Sequence, residues 1–219
     1  MKKTHKLTVV MAVAVLLLTN AMSVSVSASA SNPGFTDVPS GCWYEEPAAW
    51  AIEQEITNGT GPNTFSPGNT CTKAQVLTFL WRACGSPDST GINPYQDIAG
   101  GTYYYKAALW AYENGMVGGG LFQPDKPCTR SMAVTYMWKQ AGRPEASTKL
   151  NFSDVAADAG YTQAVAWALE TGITNGISDT TFSPESTCTR AQIITFLHRD
   201  TSLNPVPDQN TDYVIEIMD

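Results

Sequence analysis

The tripeptide Cys128-Thr129-Arg130 recurs as Cys188-Thr189-Arg190 and, with one change, as Cys71-Thr72-Lys73. The copies lie 57 and 60 residues apart (128 − 71 and 188 − 128). A phenylalanine and a proline stand ahead of each at fixed offsets: Phe65 and Pro67, Phe122 and Pro124, Phe182 and Pro184. Farther upstream come Trp50, Trp110 and Trp167, each 13 residues after Asp37, Asp97 or Asp154. A long period with several offsets held marks stacked supersecondary units that bury their apolar faces on one another. The chain reads as three copies of one module.

Ahead of the first copy, Lys2, Lys3 and Lys6 precede an apolar run over 7–18 and a small-residue stretch ending in Ala28-Ser29-Ala30. That order is a secretory signal peptide over residues 1–30, cleaved before Ser31. A membrane anchor needs about 20 apolar residues, more than this run supplies, and no later stretch is long enough. Removing residues 1–30 takes away three lysines and no acids, leaving ten basic and 20 acidic side chains and a formal charge near −10. Such a surface excludes nucleic acid as a partner, because Lys and Arg on phosphates supply most non-specific affinity. It also makes the position of each cation informative.

Cys71, Cys128 and Cys188 are equivalent by repeat, each just before a helix start, and read as small buried hydrophobes. No Cys-x-x-Cys pair is present and His198 is the one histidine after the signal peptide, so no metal is expected. Cys42 and Cys84 occur only in the first repeat and are free to pair.

Each unit opens on Phe35-Thr36-Asp37-Val38, Tyr95-Gln96-Asp97-Ile98 or Phe152-Ser153-Asp154-Val155. The aspartate is either a local helix cap or a ligand group. Apolar spacing of three and four residues predicts a first helix over 44–54, 104–114 and 161–171. Gly115 and Gly172 supply left-handed stops, and Glu55 replaces them in the first repeat. The three tryptophans serve the core or offer a stacking platform for sugar. A turn-rich loop with Asn58-Gly59 or Asn175-Gly176 follows. The second repeat shortens it by three residues, to Val117-Gly118-Gly119-Gly120, so a site built on this loop should be altered there.

A second helix begins after the threonine, with capping-box spacing in Thr72-x-x-Gln75 and Thr189-x-x-Gln192. Met132 breaks the box in the second repeat. The basic residue is not explained by capping. Lys73, Arg130 and Arg190 occupy the first helical position, where a cation costs about 0.3–1 kcal/mol against the helix dipole. Each is expected to meet an anion: a ligand at the helix N–H groups, or Asp37, Asp97 or Asp154 of a neighbouring unit.

The order aromatic-x-Asp-Val, helix, Asn-Gly loop, Phe-x-Pro and Thr-Arg-Ala-Gln resembles the S-layer homology domain of bacterial cell-surface proteins over residues 35–200. The family hallmark, an Ile-Thr-Arg-Ala-Glu-like helix opening, reads here Cys71-Thr72-Lys73-Ala74-Gln75, Cys128-Thr129-Arg130-Ser131-Met132 and Cys188-Thr189-Arg190-Ala191-Gln192. The resemblance implies a mainly α fold in which three tandem helix-loop-helix repeats (35–90, 91–146 and 150–201) form one pseudo-threefold domain, followed by a tail over 202–219. It implies non-covalent attachment, in grooves between repeats, to an acidic secondary wall polysaccharide that often carries pyruvylated N-acetylmannosamine, at the surface of a Gram-positive-type bacterium, with no catalysis, cofactor or metal. The ligand-binding residues carried over are Lys73, Arg130 and Arg190, Asp37, Asp97 and Asp154, and the loop glycines Gly59, Gly119 and Gly176. The family aromatic six residues after the aspartate is Trp43 and Tyr103, but Gly160 in the third repeat. Each repeat thus departs somewhere, and unequal sites are expected.

Two other readings compete. A scaffold for another surface protein would use the repeats or the tail, where 213–218 has the composition of a short strand. A wall-glycan hydrolase would need paired carboxylates. The recurrent aspartate occurs three times equivalently, which suits structure or binding better than one catalytic pair.

Overall fold

The computed structural model describes residues 34–200 and Leu203. The expected signal peptide over 1–30 and, apart from Leu203, the tail lie outside the described residues. Six helices carry the fold: α1 (Glu45–Glu53), α2 (Lys73–Ala83), α3 (Tyr105–Glu113), α4 (Arg130–Gln140), α5 (Thr162–Glu170) and α6 (Arg190–Arg199). The first helices begin after Tyr44, Tyr104 and Tyr161 and the second after Thr72, Thr129 and Thr189, within a residue or so of the predicted ranges. Complete capping boxes close α2 and α6, while α4 keeps only the threonine half.

The repeats close into a ring. Each second helix packs on the first helix of the next repeat: α2 on α3, α4 on α5, and α6 back on α1. Around the axis the cysteine backbones form a cycle of hydrogen bonds: Cys71 N–H to Cys188 O (3.0 Å), Cys128 N–H to Cys71 O (2.9 Å), Cys188 N–H to Cys128 O (2.9 Å). Isolated antiparallel bridges Thr72–Pro127, Thr129–Thr187 and Thr70–Thr189 join the same segments. The architecture is mainly α with pseudo-threefold symmetry.

One core runs through all three repeats. Phe65, Phe122 and Phe182 are fully buried, each contributing about 1.5–3 kcal/mol over an exposed ring. Trp110 and Trp167 are buried too, and Trp50 is half-buried edge-on to His198 at 5.3 Å. Burial of Trp110 and Trp167 removes the sugar-platform reading for those two rings. The three axial cysteines are 0% exposed. Burial pushes the Cys71 and Cys188 thiols up to about 12, and Cys128 higher still, so they are inert packing groups. Cys42 and Cys84, which the sequence left free to pair, are separate thiols.

Candidate functional site

The recurrent aspartate and the basic residue act on the same peptide. Asp37 accepts from the N–H groups of Phe65 (2.8 Å) and Ser66 (2.7 Å). Arg190, from the third repeat, donates through Nε to the Phe65 carbonyl (2.8 Å) and through Nη2 to Thr57 (3.1 Å). Asp154 holds Phe182 and Ser183 in the same way, while Arg130 reaches Phe182 O (2.8 Å) and Thr174 (3.3 Å). In the second repeat Asp97 holds Phe122 and Gln123, and Lys73 Nζ donates to Phe122 O at 2.7 Å. Each cation also lies over the ring of that phenylalanine, at 4.5–5.1 Å from its centroid.

Three expectations are corrected by this geometry. The aspartate is not a local helix cap, since α1, α3 and α5 have no side-chain cap. It clamps the Phe-x-Pro turn, whose middle residues Ser66, Gln123 and Ser183 sit in the left-handed region at φ 57°, 57° and 60°. A non-glycine residue there needs outside support, and a carboxylate taking its own N–H and that of the preceding phenylalanine provides it. Nor does the basic residue form a salt bridge with the aspartate. Among the described residues the ion pair at contact distance is Lys106–Asp88, which includes no clamp residue.

The second helix start is likewise not an open anion site. The Thr72 N–H donates to Gln75 Oε1, the Lys73 N–H to Lys126 O, the Ala74 N–H to Pro124 O, and the Gln75 N–H to Thr72 Oγ1. In α4 and α6 the N–H groups of Arg130 and Ser131, and of Arg190 and Ala191, likewise go to carbonyls of the next repeat. Of the N–H groups at this helix end, two therefore join repeats and two close the local cap. That also explains a cation at a positive helix end: it faces a turn rich in carbonyl oxygens.

Burial raises the cost of ionising the aspartates, but the backbone N–H groups and the cation beyond them outweigh it. All three carboxyls lie below the ordinary carboxylate range. Burial, with Lys126 adding, lowers the Lys73 ammonium pKa.

The basic residues reach across the three junctions between repeats. At the third–first junction Arg190 meets Thr57, whose hydroxyl also accepts from the Gly59 N–H. The first–second groove holds Lys73, Gln75, Tyr103 and the shortened loop. There Val117 stands where Thr57 and Thr174 present hydroxyls, so the lysine and the missing hydroxyl are one change seen from two repeats. The second–third groove holds Arg130, Thr174, Gly176, Met132 and Gly160.

Trp43 and Tyr103 are both 59% exposed, and each meets the following tyrosine edge-on at 5.1 and 5.0 Å. The Tyr103 phenol lies beside Thr72 of the first repeat. Gly59 (φ 82°) and Gly176 (φ 83°) leave no room for a Cβ, which would fall within 2.5–2.7 Å of a threonine carbonyl and a phenylalanine ring. Gly119 is not their counterpart: the positive φ of that loop is at Gly120, whose carbonyl accepts from Gln96 N–H. Among the described residues no cluster of His, Cys, Asp or Glu is arranged to hold a metal ion.

Residues 34–77, 94–133 and 151–194 match the S-layer homology domain family. Similar curated proteins include an endoglucanase of Bacillus sp. (strain KSM-635), 30% identical over 87% of this chain. A surface-layer 125 kDa protein of Lysinibacillus sphaericus is 36% identical over 46% of this chain, and a cellulosome-anchoring protein of Acetivibrio thermocellus is 30% identical over 58%. The matches span 21%, 9% and 28% of those proteins' own lengths.

Proposed function

The chain belongs to the S-layer homology domain family, and on that premise we propose that it anchors at a bacterial cell surface by binding an acidic, pyruvylated secondary wall polysaccharide in the grooves between repeats. The relatives named for a surface layer and for cellulosome anchoring support surface attachment. The endoglucanase likeness falls on about a fifth of that enzyme (21%) and gives no ground for assigning its activity to these repeats.

The observation that supports the reading is the family match in all three repeats, with the rings of Trp43 and Tyr103 left exposed. The third–first groove alone combines an arginine, its threonine partner, the glutamine box, the long glycine loop and an exposed aromatic ring. It is the complete site, and Trp43 is its sugar-stacking face. The first–second groove, with Lys73, Tyr103 and a short loop, is a weaker version. Arg130 and Arg190 are each 4% exposed. Their part is to set the groove wall and its positive potential, with Asp37, Asp97, Asp154, Gly59 and Gly176 fixing the loops. Trp43, Tyr103 and the remaining N–H groups of Lys73 meet the polymer. Modest grooves on a repeating polymer gain retention through effective concentration.

The test is co-sedimentation of residues 31–219 with sacculi carrying a pyruvylated polymer, before and after acid stripping. Retention should vanish on stripping, fall strongly with Trp43→Ala and fall less with Tyr103→Ala. Equal retention on stripped walls would refute a polysaccharide ligand. A protein partner, the competing reading, predicts no retention on either.

A further inference from the structure

The last residue of a first helix holds the chain that leads into its own repeat. Glu113, closing α3, accepts from the Gly91 N–H at 2.7 Å. Glu170, closing α5, accepts from the N–H groups of Ser147 (3.0 Å) and Thr148 (3.1 Å) and from the Thr148 hydroxyl (3.0 Å). Gly91 and Thr148 each stand 22 residues before their glutamate. Both also stand six residues before the clamping aspartate (97 − 91 and 154 − 148). Helix α1 ends on the equivalent acid, Glu53, since 53 − 37, 113 − 97 and 170 − 154 are all 16. Twenty-two residues before Glu53, and six before Asp37, comes Ser31 (53 − 31 and 37 − 31). Ser31 lies outside the described residues, and it is the first residue after the expected signal cleavage.

We propose that Glu53 is the seat of the mature N-terminus, taking the α-ammonium and hydroxyl of Ser31 where Glu113 and Glu170 take groups of the inter-repeat linkers. It rests on cleavage before Ser31. Register places the donor, and chemistry strengthens it. In the precursor the Ser31 nitrogen is a peptide N–H. Hydrolysis of the Ala30–Ser31 bond gives the hydroxyl of water to the Ala30 carbonyl and its proton to the Ser31 nitrogen, which takes a second proton from solvent. An ammonium on a carboxylate makes a hydrogen bond roughly twice as strong as a neutral one. The Ser31 hydroxyl matches that of Thr148, which already donates to Glu170. Helix polarity favours the same arrangement. A cation is stabilising at a helix C-terminus, and the last turn of α1 carries no basic side chain. Cleavage therefore closes the first repeat as the linkers close the other two, and the contact is complete only in the processed chain.

The experiment is zero-length carbodiimide coupling, which joins an amine and a carboxylate in contact through an amide, read by mass spectrometry after digestion. In the folded chain from Ser31 on, a Ser31–Glu53 cross-link should form beside one between Lys106 and Asp88, whose ion pair at 3.3 Å is the internal standard. Glu53→Gln should abolish the first and leave the second. The standard alone, or Ser31 joined to other acids as readily as to Glu53, would overturn the proposal. The same chain made with an acetylated Ser31 nitrogen has the amide of the precursor. Its unfolding constant in urea should be about two- to fivefold larger, the range for one exposed ion pair, and the difference should disappear in Glu53→Gln. An equal effect of acetylation in both proteins would also overturn it. N-terminal sequencing of the exported protein separates the two layers: a first residue other than Ser31 would sink the cleavage and the seat together. Ser31 in first place without the cross-link would sink the seat alone.

Discussion

Phe65, Phe122 and Phe182 each have their peptide gripped from both ends, by a carboxylate of their own repeat at the N–H and by a cation of the preceding repeat at the carbonyl. The three carboxyls are held below the ordinary range, so the stability they contribute is complete above the unfolded carboxylate pKa of about 4. It is lost as pH falls through the lower folded values. Urea midpoints should therefore be flat from neutral pH to about pH 5 and fall on the acid side. Asp37→Asn should be less stable at pH 7 and show a shallower acid loss, since one acceptor and the charge are gone. An identical acid slope in wild type and variant would contradict this assignment. Arg190→Ala strips the acceptors Phe65 O and Thr57 of a buried donor and should cost about 3 kcal/mol or more by chemical denaturation. Arg190→Lys keeps the carbonyl bond, as Lys73 does on Phe122, and should cost clearly less.

At the level of helices and loops, the ends are where the repeats differ. Glu55 follows α1 at φ 54°, where Gly115 and Gly172 follow α3 and α5 at 63° and 76°. Glu55→Gly should stabilise the protein by about 0.5–1 kcal/mol, the strain relieved exceeding the entropy added to the unfolded chain. A lowered melting temperature would show that the Glu55 side chain contributes more than its backbone costs. The first–second interface carries Lys73 against Val117, and the other two carry arginine against threonine. Lys73→Arg and Val117→Thr should each be neutral or destabilising alone. Combined they should be favourable, with a coupling of about 1 kcal/mol in a double-mutant cycle. Additive effects would mean that the two positions do not face one another in solution.

The whole molecule depends on closure. Helix α6 packs on α1, and Arg190 reaches Thr57 across 133 residues of sequence. A chain ending at residue 146 would leave the outer face of α1 and of α4 unpartnered and Phe65 without its cation. It should therefore give no cooperative urea transition by circular dichroism, unlike the full chain. A sharp transition in that fragment would show that two repeats suffice and that the ring is dispensable. Closure also brings Arg190 of the third repeat onto Phe65 and Thr57 of the first.

The period, the helix spans, the capping boxes, the buried cysteines and the odd residue at Glu55 were all legible in the chain, because each follows from local spacing and local backbone chemistry. Family membership was legible for the same reason: its hallmark opens a helix and recurs in three copies within a fixed order of motifs. What the aspartate and the basic residue do was not legible. Their shared partner is a main-chain peptide, and a peptide group has no residue identity to give it away. The apparent faults also looked scattered, one or two to a repeat. Only the ring decides which residues of neighbouring repeats meet, so that Arg190 reaches Thr57, Arg130 reaches Thr174, and Met132 lies beside Gly160. A site made of two neighbours is invisible in a repeat-by-repeat alignment, because the contact that defines it crosses from one copy to the next.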